Sequence, residues 1–321
     1  ALARTTALVG RHEDAVALQR ANLALVERAL GPDEALTLEQ RAALGVVLLA
    51  AGRTDAARAE LDAALSALAA RDLADSAIGA WTRVHLAQAL RLSGRFDEAE
   101  PHARRAFDTA ARFPGNPDAA GLGPFKNELA LCLVGQRRWS EAAAVLADQM
   151  AQSMQINGPE HHATLKLMGR VGYLLVREGA DPRRAAALLA DAARGTRTLG
   201  PGEAWRVQMY EAVRAEALRL SGSPREALEL LLALRAERLA LLRAADPSAT
   251  DITEPDDGIR ALIDLMEARA LLDADAASAP AARDLLTRAA RIMREQGNDS
   301  RRSLQFDAGD AEETLARLPP R

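Results

Sequence analysis

Apolar residues recur along the chain at steps of three and four, the interval that stacks side chains on one face of an α-helix. Leu44 with Leu48, Leu86 with Leu90, Leu129 with Leu133, and Val171 with Leu175 each mark such a face. A second set, Leu61, Leu146, Leu189 and Leu231, falls on the helices that follow. Between the two sets the chain returns to one short polar pattern. Gly94-Arg95-Phe96-Asp97-Glu98-Ala99 has counterparts in Gly10-Arg11-His12-Glu13-Asp14-Ala15, Gly52-Arg53-Thr54-Asp55-Ala56-Ala57, Arg137-Arg138-Trp139-Ser140-Glu141-Ala142 and Gly222-Ser223-Pro224-Arg225-Glu226-Ala227. Residues 179–185 are a further copy, one residue longer. The closing alanines stand at 15, 57, 99, 142, 185 and 227, so the spacings are 42, 42, 43, 43 and 42. A period this even means repeated units.

Each unit has a physical reading. A helix ends before a Gly, which reaches the left-handed conformation that stops it. A polar residue such as Asp97 or Ser140 then sits near the start of the next helix. Twelve residues before the closing alanines stand Gly45, Ala87, Ala130 and Ala215, and Gly172 is their equivalent in the longer copy. Two small positions per unit, one on each helix, predict a close crossing of paired helices. Gln149 and Leu234 stand where a small residue is expected late in the second helix, so packing should differ there.

The pattern resembles the tetratricopeptide repeat, and more closely the long repeats of kinesin light chains in their bacterial form. The connections carry the likeness. Leu30-Gly31-Pro32-Asp33 precedes Thr37-Leu38, Asn157-Gly158-Pro159-Glu160-His161 precedes Thr164-Leu165, and Leu199-Gly200-Pro201 is a partial third copy. Glu98-Ala99-Glu100-Pro101 is similar to that family's second helix. The resemblance covers roughly residues 1–245. It implies an all-α fold, a right-handed α-solenoid of about six to seven antiparallel helical hairpins. The whole chain, 1–321, then reads as a single solenoid domain. An acidic loop at 246–257 leads to an irregular C-terminal cap of helices over 258–321, at about 258–273, 280–296 and 310–318. Residues 1–9 read as a first helix already under way, as if the chain began inside a larger protein.

Composition supports the all-helical reading. Hydrophobic residues make up 49% but aromatic ones only 3%, and the apolar share is mostly Ala and Leu, both strong helix formers. Forty-one Lys and Arg stand against 45 Asp and Glu, a net charge of −4, which is not the basic excess of a nucleic-acid binder. No run is long and apolar enough to span a bilayer, and no leader pattern opens the chain. Direct membrane contact is not expected. Cytoplasmic residence is, or extracytoplasmic residence if the chain is cut from a membrane-anchored parent.

Candidate chemistry is sparse. His161-His162 beside Glu160 has too few partners for a zinc site, and neighbouring residues point to different faces of a helix. Cys132, on the inner stretch 129–133, reads as a small buried hydrophobe. Gly121-Leu122-Gly123-Pro124 lacks the Lys-Ser/Thr of a phosphate loop and reads as a flexible connection. Asn298-Asp299-Ser300 matches a glycosylation acceptor by a short pattern that arises by chance. No acid, base and nucleophile converge, so no enzyme activity, cofactor or metal is expected.

The first helices of such hairpins line an inner groove. One turn either side of each crossing residue gives Trp81, Gln88, Arg91, Asn127, Lys166, Tyr173, Arg177, Glu216 and Arg219 as groove candidates. Aromatic residues and Arg are common interface anchors, and this chain has three Trp and two Tyr in all. The expected function is a protein- or peptide-binding scaffold whose partner carries acidic and apolar residues. The alternative is a sensory or regulatory domain of a larger bacterial signalling protein, a protein kinase or transcriptional regulator, answering to a peptide or small ligand.

Overall fold

The computed structural model describes residues 11–112, 122–245, 257–297 and 306–318. The helix expected over 1–9, most of the acidic stretch before Asp257, and Asn298-Asp299-Ser300 lie outside them. Among the described residues the chain is helical and holds no strand. Contacts divide it into two compact units, Ala1–Arg138 and Trp139–Arg321.

The first unit contains α1 (His12–Leu30), α2 (Ala35–Ala50), α3 (Thr54–Ala70), α4 (Ala77–Leu92), α5 (Phe96–Ala110) and α6 (Gly123–Gly135). Consecutive helices joined by short turns pack as hairpins, α2 with α3 and α4 with α5. The first helices of neighbouring hairpins also touch, α2 against α4 and α4 against α6. The second unit contains α7 (Trp139–Asn157), α8 (His162–Glu178), α9 (Pro182–Arg197), α10 (Ala204–Leu220), α11 (Pro224–Ala245), α12 (Gly258–Ala274), α13 (Ala279–Glu295) and α14 (Ala308–Ala316). It repeats the scheme: α8 pairs with α9, α10 with α11 and α12 with α13, while α8, α10 and α12 touch in turn.

The small positions do what their spacing predicts. A Cβ on Gly45 would stand 2.5 Å from Leu61 Cγ, and one on Gly172 2.7 Å from Leu189 Cγ. Each glycine thus admits a leucine of the paired helix. Ala87, Ala130 and Ala215 are likewise buried. Leu234 is buried despite its size.

Helix ends follow from backbone chemistry. After α4, Gly94 takes φ 76°, and the Arg95 N–H turns back to the Leu90 carbonyl at 2.9 Å. This closes the last turn on otherwise unpaired carbonyls. The copy that lacks a glycine makes the same bond, Arg138 N–H to Leu133 O at 2.9 Å, by forcing Arg137 to φ 58°. A non-glycine residue there is strained.

Two expectations need revision or refinement. Gly123 and Pro124 do not lie in a flexible connection but form the first turn of α6. Proline suits that place because its missing N–H would have had no helical partner. The break in register after residue 245 does not interrupt stacking, since α12 packs on both α10 and α11. Helices α12, α13 and α14 occupy the stretch read as a C-terminal cap, and α14 packs against α13. No described helix is long and apolar enough to cross a membrane.

Candidate functional site

In the first unit the candidates lie on α4 and α6. Trp81 is 45% exposed, yet its ring rests on Phe125 with centroids 4.8 Å apart and stacks on His85 at 6.0 Å. It is a solvent-facing aromatic held in place from beneath. Gln88 Oε1 lies 3.4 Å from His85 Nδ1, on the same face. Asn127 is partly buried beside Lys126, whose ammonium lies 5.8 Å from the centre of the Phe107 ring. Arg91 does not present a free charge. Its guanidinium donates to Glu128 at 2.6 and 3.2 Å, with both side chains buried. Cys132, in the same interior, sits 3.9 Å from Glu128, and burial pushes its thiol far above the usual range. That makes it a packing residue and a poor nucleophile.

In the second unit the candidates on α8 and α10 are drawn inward. Tyr173 is buried edge-on against Phe306, 5.4 Å between centroids. Arg177 lies 4.8 Å from both the Trp139 and Phe306 rings and donates to the two Asp310 oxygens at 2.8 Å each. Burial opposes the Arg177 charge, but Tyr173 and Asp310 outweigh it and hold the group above its ordinary value. Glu216 accepts from Arg219 at 2.8 Å and from Arg269 at 2.9 Å, and Arg219 also reaches Asp273. Three of the four basic groove candidates are therefore matched by internal carboxylates. Lys166 is the exception, with no carboxylate in ion-pair reach among the described residues.

The same face opens into a cavity of about 630 Å³. Lys166 and Tyr173 line it, as do Trp205, Met209 and Tyr210 of α10 and Leu262 of α12. Arg170 and Gln149 also face it. Sequence reasoning passed over Arg170 because it stepped one turn from Gly172 and landed on its neighbours. Gln149 had left a signal, a polar residue where the repeat wants a small one. His161, read as a connection residue, caps α8 by accepting from the Ala163 N–H at 3.2 Å. No group of three or more His, Cys, Asp or Glu among the described residues is arranged to hold a metal.

Residues 42–112 match the tetratricopeptide-repeat family model. Among solved structures, the chain is similar to a kinesin-light-chain protein with nearly identical repeats from Podospora anserina. The identity is 18% and the TM-score 0.50, over 68% of this chain and 96% of that one. It is also similar to BtubC from P. vanneervenii, at 16% identity and TM-score 0.55, over 76% of this chain and 95% of that one. No curated protein matches. At such identities the likeness is one of fold, and the fold is one that serves protein interaction generally. Residues 42–112 thus match the tetratricopeptide repeat, and the chain is similar in fold to kinesin-light-chain-like repeat proteins.

Proposed function

We propose that the chain is a binding scaffold that receives a peptide segment of another protein on the first-helix faces of its hairpins. The observation that carries this reading is Trp81. Large aromatics are usually driven into the core, yet this one stands half in solvent while Phe125 and His85 fix its ring. A pre-positioned ring loses little entropy when a partner covers it, which is what an interface anchor needs. Arg91 already has an internal partner, so the apolar anchor and not this charge would carry the contact.

The test is a peptide selection on the purified chain, followed by titration of the best ligand. Trp81→Ala should weaken it at least ten-fold, and Arg91→Ala should act mainly through stability. Undiminished binding by Trp81→Ala sinks the reading. The cavity of the second unit favours the other reading, a regulatory domain of a larger signalling protein that answers to a ligand.

A further inference from the structure

Helix α8 carries two partly buried arginines with opposite circumstances. Arg177 is saturated by Asp310. Arg170, two turns earlier, has no carboxylate in ion-pair reach among the described residues, and it faces the cavity. A charge partly withdrawn from water without a counter-charge is destabilising, and an anion in the cavity would offset that. Burial pulls the Arg170 guanidinium down to about 10, with the Tyr210 hydroxyl as the opposing influence.

Other groups on the wall share the shortage. The Tyr173 hydroxyl is buried beside Arg177 and, like the Gln149 Oε1, makes no hydrogen bond of good geometry. Tyr173 is 6% exposed, so water does not readily make up the deficit. Of the other charges on the wall, Arg206 is paired with Glu203, and Asp257 is held by Arg238 while it caps α12. Lys166 and Arg170 remain, a net positive pole. Apart from Gln296 and the Tyr210 hydroxyl, the rest of the wall is apolar, with Trp205, Met209, Leu262, Met293 and Phe306. Gly169 shapes it, because a Cβ there would lie 2.1 Å from the Tyr210 ring. A volume of about 630 Å³ is that of a small-molecule site.

We infer that this cavity is a binding site for a small amphipathic carboxylate, with its acid group on Arg170 and Lys166 and its apolar body against Trp205, Met209 and Leu262. The site goes beyond the peptide scaffold: it lies within the second unit and does not use Trp81.

The experiment is calorimetric titration of the full chain with 2-naphthylacetate and with its neutral amide. The acid should bind at least ten-fold more tightly, and Arg170→Met should abolish that preference. Without ligand, Arg170→Met should melt at or above the wild-type temperature, since it removes a desolvated charge and keeps the side-chain length. Trp81→Ala should leave the acid titration unchanged, which separates this site from the peptide surface. Equal binding of acid and amide, wild-type affinity in Arg170→Met, or a lower melting temperature for that variant would each overturn the inference. So would displacement of the acid by a blocked Asp-Trp peptide, which would assign the site to a partner's side chains.

Discussion

Arg91 and Glu128 meet in the first unit with 6% and 7% of their side chains exposed. Neither charge can be relieved by water, so the pair matters chiefly through what its breakage leaves behind. Arg91→Met should cost about 3 kcal/mol by stranding Glu128, while adding Glu128→Leu should recover most of that loss. Denaturant midpoints of the two variants check it; equal losses would mean the pair is not buried as described. The sequence placed Arg91 on the first helix of its hairpin but could not show that its charge is paired. Its partner lies 37 residues on, and the pairing exists only once α4 and α6 stack. Arg177 and Asp310, 133 residues apart, were illegible for the same reason. Arg137 was more open to reading, since it replaces the glycine of the other copies. Its φ of 58° predicts that Arg137→Gly stabilises the chain by roughly 0.5–1 kcal/mol, the relief of strain exceeding the entropy of the added glycine. A lower melting temperature for that variant would refute it.

At the scale of helices, the small positions carry the fold, and they were fully visible in sequence because they recur with the period. Ala87 is buried at the crossing of α4 with α5, whereas Arg53 sits in an exposed turn. Ala87→Leu should therefore overpack the hairpin and cost about 1–3 kcal/mol. Arg53→Ala should stay within about 0.5 kcal/mol. Urea melts that ranked the two the other way would show that the repeat register is wrong. The start of α6 was misread because glycine and proline are ambiguous: the same pair that opens a loop can open a helix when proline takes the first turn. The docking of α12 on α10 and α11 had no such signal. No repeat signature survives past residue 245, yet an apolar face on α12 is enough to dock it on α10.

Across the molecule the two units bury charge differently. Among the described residues, the first holds the Arg91–Glu128 pair, whereas the second runs carboxylates and arginines through its interior. Glu216 joins Arg219 and Arg269; Arg269 also donates to the Asp310 carbonyl, and Asp310 holds Arg177. Asp264, fully buried, is shared by Arg235 and Arg288. This wiring should make acid the second unit's weakness, and Glu216 gives the sign. Burial on its own would raise the Glu216 carboxyl, but the hydrogen bonds and charges of Arg219 and Arg269 prevail and hold it below its ordinary value of 4.5. A carboxyl depressed by folding binds fewer protons native than unfolded. Its contribution is complete above about pH 4.5 and is lost as pH falls through the lower, native value. Stability should therefore decline below that point, and Glu216→Gln should decline less steeply there while costing about 3 kcal/mol at pH 7, where it strands Arg219 and Arg269. Denaturant melts of both proteins from pH 7 to pH 3 measure this. Curves that run parallel over that range would mean that Glu216 titrates alike in the folded and unfolded chain, and that the arginines do not hold it.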